Sequence, residues 1–128
     1  QRNLAQRGGR RFSVVLVLIE PESGQDGVVP SLLDEALRRL VRNLEPRLRS
    51  GDVLARLDAR QLLVLLPNTA EAEAERLAVA LAEQVGVFET LSQGNERLSM
   101  TRYFGVAEFR LGETIGACLD RAWLSLPR

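Results

Sequence analysis

Two short stretches carry the residues with chemistry to offer. In Arg49-Ser50-Gly51-Asp52 a planar guanidinium fork and a carboxylate stand three residues apart. Together they suit the edge of a planar ligand that both accepts and donates hydrogen bonds. The same residues also read as a plain helix-to-strand connection, with Gly51 ending the helix and Asp52 capping the turn. Both readings stand on these four residues. Further on, Asp58-Ala59-Arg60-Gln61-Leu62 begins as a charged turn between two apolar runs, and Glu20 and Glu22 close an earlier run. Acids at a strand end are oxygen donors of the kind a hard divalent cation takes, or solvated acids and nothing more. The second is the expectation here.

Composition removes several other chemistries. Histidine is absent, and with it the commonest general base, metal ligand and pH switch. Cys118 is the only cysteine and falls on an apolar helical stripe, so it reads as a reduced core thiol of a cytoplasmic protein. Seventeen basic and seventeen acidic residues cancel, which leaves no overall field for nucleic acid or an anionic membrane. All seventeen cations are arginines. The longest apolar run, Val14 to Ile19, is far shorter than a membrane span. No nucleic acid and no membrane are expected as partners.

These residues need elements to position them. At 128 residues the chain suits one domain, 1–128, and its start at Gln1 suggests a piece of a longer multidomain protein. Residues 1–11 read as the end of a helix, with Arg7, Arg10 and Arg11 solvated. Phe12 to Glu20 is a β-branched run suited to a strand buried on both faces. After a loop from Pro21 to Pro30, Ser31 and Asp34 suggest a capping box. The helix they open carries Leu33, Leu37, Leu40, Leu44 and Leu48 on one stripe, exposes Arg38, Arg39 and Arg42, and is ended or kinked by Pro46. Val53–Leu57 and Gln61–Leu66 form a hairpin.

Asn68-Thr69 starts a second helix, with Leu77, Leu81 and Val85 facing inward. Leu91–Ser99 reads as loop, and Met100–Phe109 as a strand with too few basic neighbours for Tyr103 and Phe104 to stack bases. A last helix buries Ile115, Cys118, Leu119, Ala122 and Leu126, with Trp123 in core or interface packing. Strand, helix, hairpin, helix, strand, helix is an α+β order of the ferredoxin-like or polymerase-palm-like kind, a mainly antiparallel central sheet flanked by helices.

Several of these pieces resemble one family. "GDVLARLDARQLLVLLP" is similar to the hairpin of GGDEF domains, the diguanylate cyclase family, with Asp52, Ala55, Arg56 and Val64 to Pro67 in place. "LRRLVRNLEPRLRSGD" resembles the helix that leads into it, "FGVAEF" the family's "SxGVA" strand, and "LDRAWLSL" its closing helix. The match runs over roughly residues 10–126 in order.

The signature turn departs from the pattern. Asp58, Ala59, Arg60, Gln61 and Leu62 occupy the positions of Gly-Gly-Asp/Glu-Glu-Phe. Two glycines that admit a nucleotide become an aspartate and an alanine, and a metal-binding acid becomes an arginine. Glu20 and Glu22 are the candidates for the family's first-strand Asp-x-Asp pair, and the loop that follows lacks the "FKxIND" motif. The expectation is therefore a degenerate domain: not an enzyme, with no metal and no cofactor.

Arg49 and Asp52 match the family's RxxD site, which implies cyclic di-GMP as ligand. An arginine fork fits guanine O6 and N7, and a carboxylate fits the N1 and N2 donors. Arg47 and Arg56 are the further arginines proposed for the dinucleotide. The expected function is to bind cyclic di-GMP and pass its occupancy to a neighbouring domain of the same chain, for instance one controlling transcription. The alternative is a ligand-free dimerisation or protein-docking module, and a homodimer fits either.

Overall fold

The computed structural model describes residues 11–22 and 30–127. Five strands and three helices follow the order β1 (Phe12–Pro21), α1 (Pro30–Leu44), β2 (Val53–Arg56), β3 (Gln61–Pro67), α2 (Glu71–Val85), β4 (Phe88–Gln93), β5 (Glu96–Glu108) and α3 (Ile115–Leu124). The strands form one sheet in the order β2-β3-β1-β5-β4, and every neighbouring pair is antiparallel. This is the expected α+β architecture.

β1 is central because its sequence leaves it no polar face. Val15, Val17 and Ile19 point into a core shared with α1 and α2. Val14, Leu16 and Leu18 point the other way, into a smaller core under α3. Two-residue periodicity sends alternate side chains to opposite faces, so only a strand apolar throughout can sit between two helical layers. β2 is the counter-case, a mostly exposed edge strand beside β3.

α1 buries Leu33, Leu37, Leu40 and Leu44 as its spacing predicts, together with Leu32 and Ala36. The expected capping box is absent: Pro30 opens the helix and Ser31 lies inside it. A proline at the first helical position lacks an N–H that the helix would leave unpaired in any case. Pro46 does end the helix, in a short 3-10 turn over Glu45–Arg47. Arg38, Arg39 and Arg42 lie on the outer face and pair with Asp34, Glu35 and Glu89.

Two other expectations change. Leu91–Ser99 belongs to a hairpin, with β4 and β5 joined at Gly94-Asn95 and Gly94 at φ 60°. Ile115 is half exposed at the first turn of α3, while Cys118 and Ala122 are buried. Trp123 is also partly exposed. The expected helix end over residues 1–10, Arg7 and Arg10 included, and most of the loop after Pro21 lie outside the described residues. Among the described residues, no helix is long and apolar enough to cross a membrane.

Candidate functional site

The chain between Arg47 and Val53 forms a corner that Asp52 closes. Gly51 takes φ 93°, a conformation that side chains resist, and lets the turn reverse. The Arg49 carbonyl accepts from the Asp52 N–H at 3.1 Å, and the Arg49 N–H donates to Asp52 Oδ2 at 2.8 Å. Arg49 then folds its side chain back over the turn. Nε donates to Asp52 Oδ2 and Nη2 to Asp52 Oδ1, both at 3.2 Å, a two-pronged pairing. That bonding raises the Arg49 pKa above its ordinary value, against a smaller opposing effect of burial.

The corner is tied to the fold behind it. Arg49 Nη2 donates to Thr69 Oγ1 at 2.6 Å, and the Thr69 hydroxyl donates to the Pro67 carbonyl. Thr69 O in turn accepts from the buried Ser13 hydroxyl on β1 at 2.7 Å. The two charged groups are covered unequally: the Asp52 side chain is 2% exposed and that of Arg49 44%. Arg49 Nη1 points to Glu73 on α2 at 3.4 Å.

Arg49 and Asp52 are thus brought together as the sequence suggests. The two further arginines make their bonds elsewhere. Arg47 donates to the Asn43 carbonyl at 2.7 Å, which helps end α1. Arg56 donates to Asp34 at 2.7 Å and to the Asp58 carbonyl at 3.2 Å, a clamp between α1 and the hairpin. The Arg56 hydrogen bond is the main reason the Asp34 carboxyl is held below its usual pKa.

At the other end of β2 the hairpin tip closes on itself. Asp58 Oδ1 accepts from the Arg60 N–H at 2.8 Å, and Oδ2 from Gln61 Nε2 at 2.7 Å. A side chain that bonds its own turn does here what a left-handed glycine does elsewhere. The Arg60 carbonyl accepts from the Ile19 N–H at 2.8 Å, which fixes the tip against the end of β1. Between them lies a cleft of about 390 Å³ bordered by Glu20, Asp58, Ala59, Arg60, Gln61 and Trp123. Glu20 and Glu22 also border a second depression beside Thr101 and Tyr103.

A family model described as "Diguanylate cyclase, GGDEF domain" matches residues 31–126. The chain belongs to the GGDEF family. Among its relatives, the response regulator PleD of Caulobacter vibrioides is 35% identical over 91 residues, 70% of this chain and 20% of PleD. This chain therefore spans about a fifth of that protein. Several solved structures share the fold, two of them as follows. The diguanylate cyclase SiaD of Pseudomonas aeruginosa, solved with its activator SiaC, aligns at TM-score 0.68 and 24% identity, over 94% of this chain and 46% of that one. The GGDEF domain of DgcB from Caulobacter crescentus, solved with c-di-GMP, aligns at 0.55 and 17%, over 94% and 72%.

These findings correct one expectation. The reading of this chain as no enzyme rested chiefly on the tip residues, with the missing loop motif beside them, whereas the matching family is described by its cyclase. Family membership points toward cyclase enzymes. The GGDEF signature positions remain Asp58, Ala59, Arg60, Gln61 and Leu62.

A divalent metal is implied by the resemblance, and the tip tests poorly as its site. Both Asp58 oxygens are engaged inside the turn, and a cation, Arg60, stands next to them. Among the described residues, no group of three His, Cys, Asp or Glu is placed to hold a metal ion. The described residues of the tip do not fit one.

Sequence reasoning missed Thr69, which anchors Arg49 from twenty residues away. Its position after Pro67-Asn68 signals a helix start, and no spacing rule links it to the corner. Trp123 at the tip cleft was missed for a similar reason: α3 reaches the hairpin only through the fold.

Proposed function

We propose that this GGDEF domain acts in cyclic di-GMP signalling by binding the dinucleotide at the Arg49 corner and passing occupancy to a neighbouring domain. The unequal exposure of the pair carries this reading: the guanidinium reaches solvent while the carboxylate beneath it is covered. Arg49 is the group that meets the guanine O6 and N7 acceptors, with its Nη1 side turned from Glu73 to the ligand. Asp52 is a positioning residue that holds the fork, since its two oxygens are already taken by Arg49. The direct carboxylate-to-guanine contact suggested by the sequence is thereby replaced by an indirect one.

Transmission follows the bonds behind the corner. A shift of Arg49 toward a ligand pulls on Thr69, which sits between β3 and α2 and is bonded through Ser13 to the central strand. The c-di-GMP bound to DgcB, a relative of the same fold, supports the choice of ligand.

Titration calorimetry with cyclic di-GMP, with GTP plus magnesium as comparison ligand, tests the reading. The wild-type domain binds the dinucleotide, Arg49→Ala loses at least tenfold in affinity, and Arg56→Ala binds as wild type. Equal binding by wild type and Arg49→Ala, or none by either, overturns it.

A further inference from the structure

The two faces of the sheet are covered unequally. α1 and α2 both lie on the face of Val15, Val17 and Ile19, while among the described residues the opposite face packs against α3 alone. α3 runs over β1 and β5, which leaves the β2–β3 half of that face without a helix. Leu65 and Leu63 pair with Val14 and Leu16 on one side and with Val53 and Ala55 on the other, so these hairpin residues share the face of α3. Leu63 and Leu65 are only partly buried, Ala55 is exposed, and Val53 is 51% exposed.

α3 itself carries little polar surface. α1 and α2 line their outer faces with charged residues, whereas among the ten residues of α3 only Asp120 and Arg121 are charged. Arg121 turns aside to Glu113 and the Glu108 carbonyl. Ile115, Leu119 and Trp123, four residues apart, form one flank, and the place of Trp123 at the tip cleft shows that this flank looks toward β3. Leu124, on the outer side, is 79% exposed. A helix apolar on its outer side as well as its inner one is ordinarily buried on both.

We propose that a second copy of this chain covers this face, the α3 of each copy lying on the β2–β3 half of the other. The half-sheet lacks an apolar helix and the helix lacks an apolar floor, and a two-fold axis supplies both at once. Two sheets then enclose a single layer of two antiparallel helices, packed flank to flank through Ile115, Leu119 and Trp123. The floor of Val53, Ala55, Leu63 and Leu65 offers no charge for an acidic or basic partner to read. The formal net charge of the chain is zero, so no long-range repulsion opposes the pairing of two copies.

The direction of α3 sets the register. It follows Phe109, which stacks on Phe12 at the corner end of the sheet, and brings Trp123 to the tip end. Reversed in the second copy, its Leu124 comes over Val53 and Leu65.

The test follows the 128-residue chain from about 1 μM to 1 mM by sedimentation equilibrium and by the emission of Trp123, its single tryptophan. The mass rises toward that of a dimer, and the emission moves to the blue as the indole is covered. Leu124→Glu and Val53→Glu each weaken the dimer about tenfold or more, because a two-fold axis repeats every change. Both side chains are exposed in the single chain, so the denaturation midpoint of each monomer stays near that of the wild type. Leu124→Glu mixed with Val53→Arg recovers a mixed dimer, in which one charged pair replaces one apolar contact and the other contact is unchanged. A monomer at every concentration overturns the proposal and leaves the face to another segment of polypeptide. A dimer unaffected by both single substitutions, or no recovery in the mixture, overturns it as well.

Discussion

At the residue scale, Asp52 matters more to the corner than its surface neighbour Arg49. Its carboxylate accepts from the Arg49 N–H as well as from the side chain, so removing it strands a backbone donor and a guanidinium together. Asp52→Ala is expected to destabilise the domain by about 1–3 kcal/mol, read from chemical denaturation, whereas Asp52→Asn retains an acceptor and costs less. A second carboxylate gives a pH signature. Glu113 accepts from Arg121 Nε at 2.7 Å, from Arg121 Nη2 at 2.6 Å and from the Arg110 N–H at 2.8 Å.

The Arg121 hydrogen bonds are the main reason its pKa falls from 4.5 to about 2. A carboxyl depressed on folding stabilises fully above its unfolded value, and that part is lost as pH falls through the folded one. Stability should therefore decline between about pH 4.5 and 2, and Glu113→Gln should flatten that part of the denaturation profile. The pairing of Arg49 with Asp52 was legible, because three residues and a glycine bring the two side chains together locally. The roles of Arg47 and Arg56 were not, because Asn43 and Asp34 become their partners only once α1 and the hairpin are in place.

At the element scale, α3 packs on β5 through a missing side chain. A Cβ built at Gly105 would sit 2.2 Å from the Ala122 carbonyl, a backbone atom that cannot turn aside. Gly105→Ala should cost about 1–3 kcal/mol through forced displacement of α3, seen as a lowered denaturation midpoint with loss of the Val106 to Ser125 contact. Strands and helices with a strong period were legible: β1 from its unbroken apolar run, and α1 from leucines three and four apart. The β4–β5 hairpin was missed because Leu91–Ser99 is mostly polar, and its strands are set by a Gly94-Asn95 turn rather than by apolar alternation. Ile115 was assigned to the core from helical spacing alone, but α3 meets the sheet with Cys118 and Ala122 and leaves its first turn outside.

At the scale of the molecule, the corner and the tip are separated by β2, a strand of four residues spanning roughly 13 Å at about 3.3 Å each. A ligand at one end therefore need not compete with anything at the other. The corner is also the end of the hairpin bonded to both the central strand, through Thr69 and Ser13, and α2, through Glu73. The most direct test follows the Arg49 Nε–H resonance by NMR through a titration with cyclic di-GMP. The account predicts a saturating shift of that signal, with Arg56 Nε–H unmoved and the Asp52 pairing retained. Binding that leaves Arg49 Nε–H unchanged, or no binding at all, contradicts it.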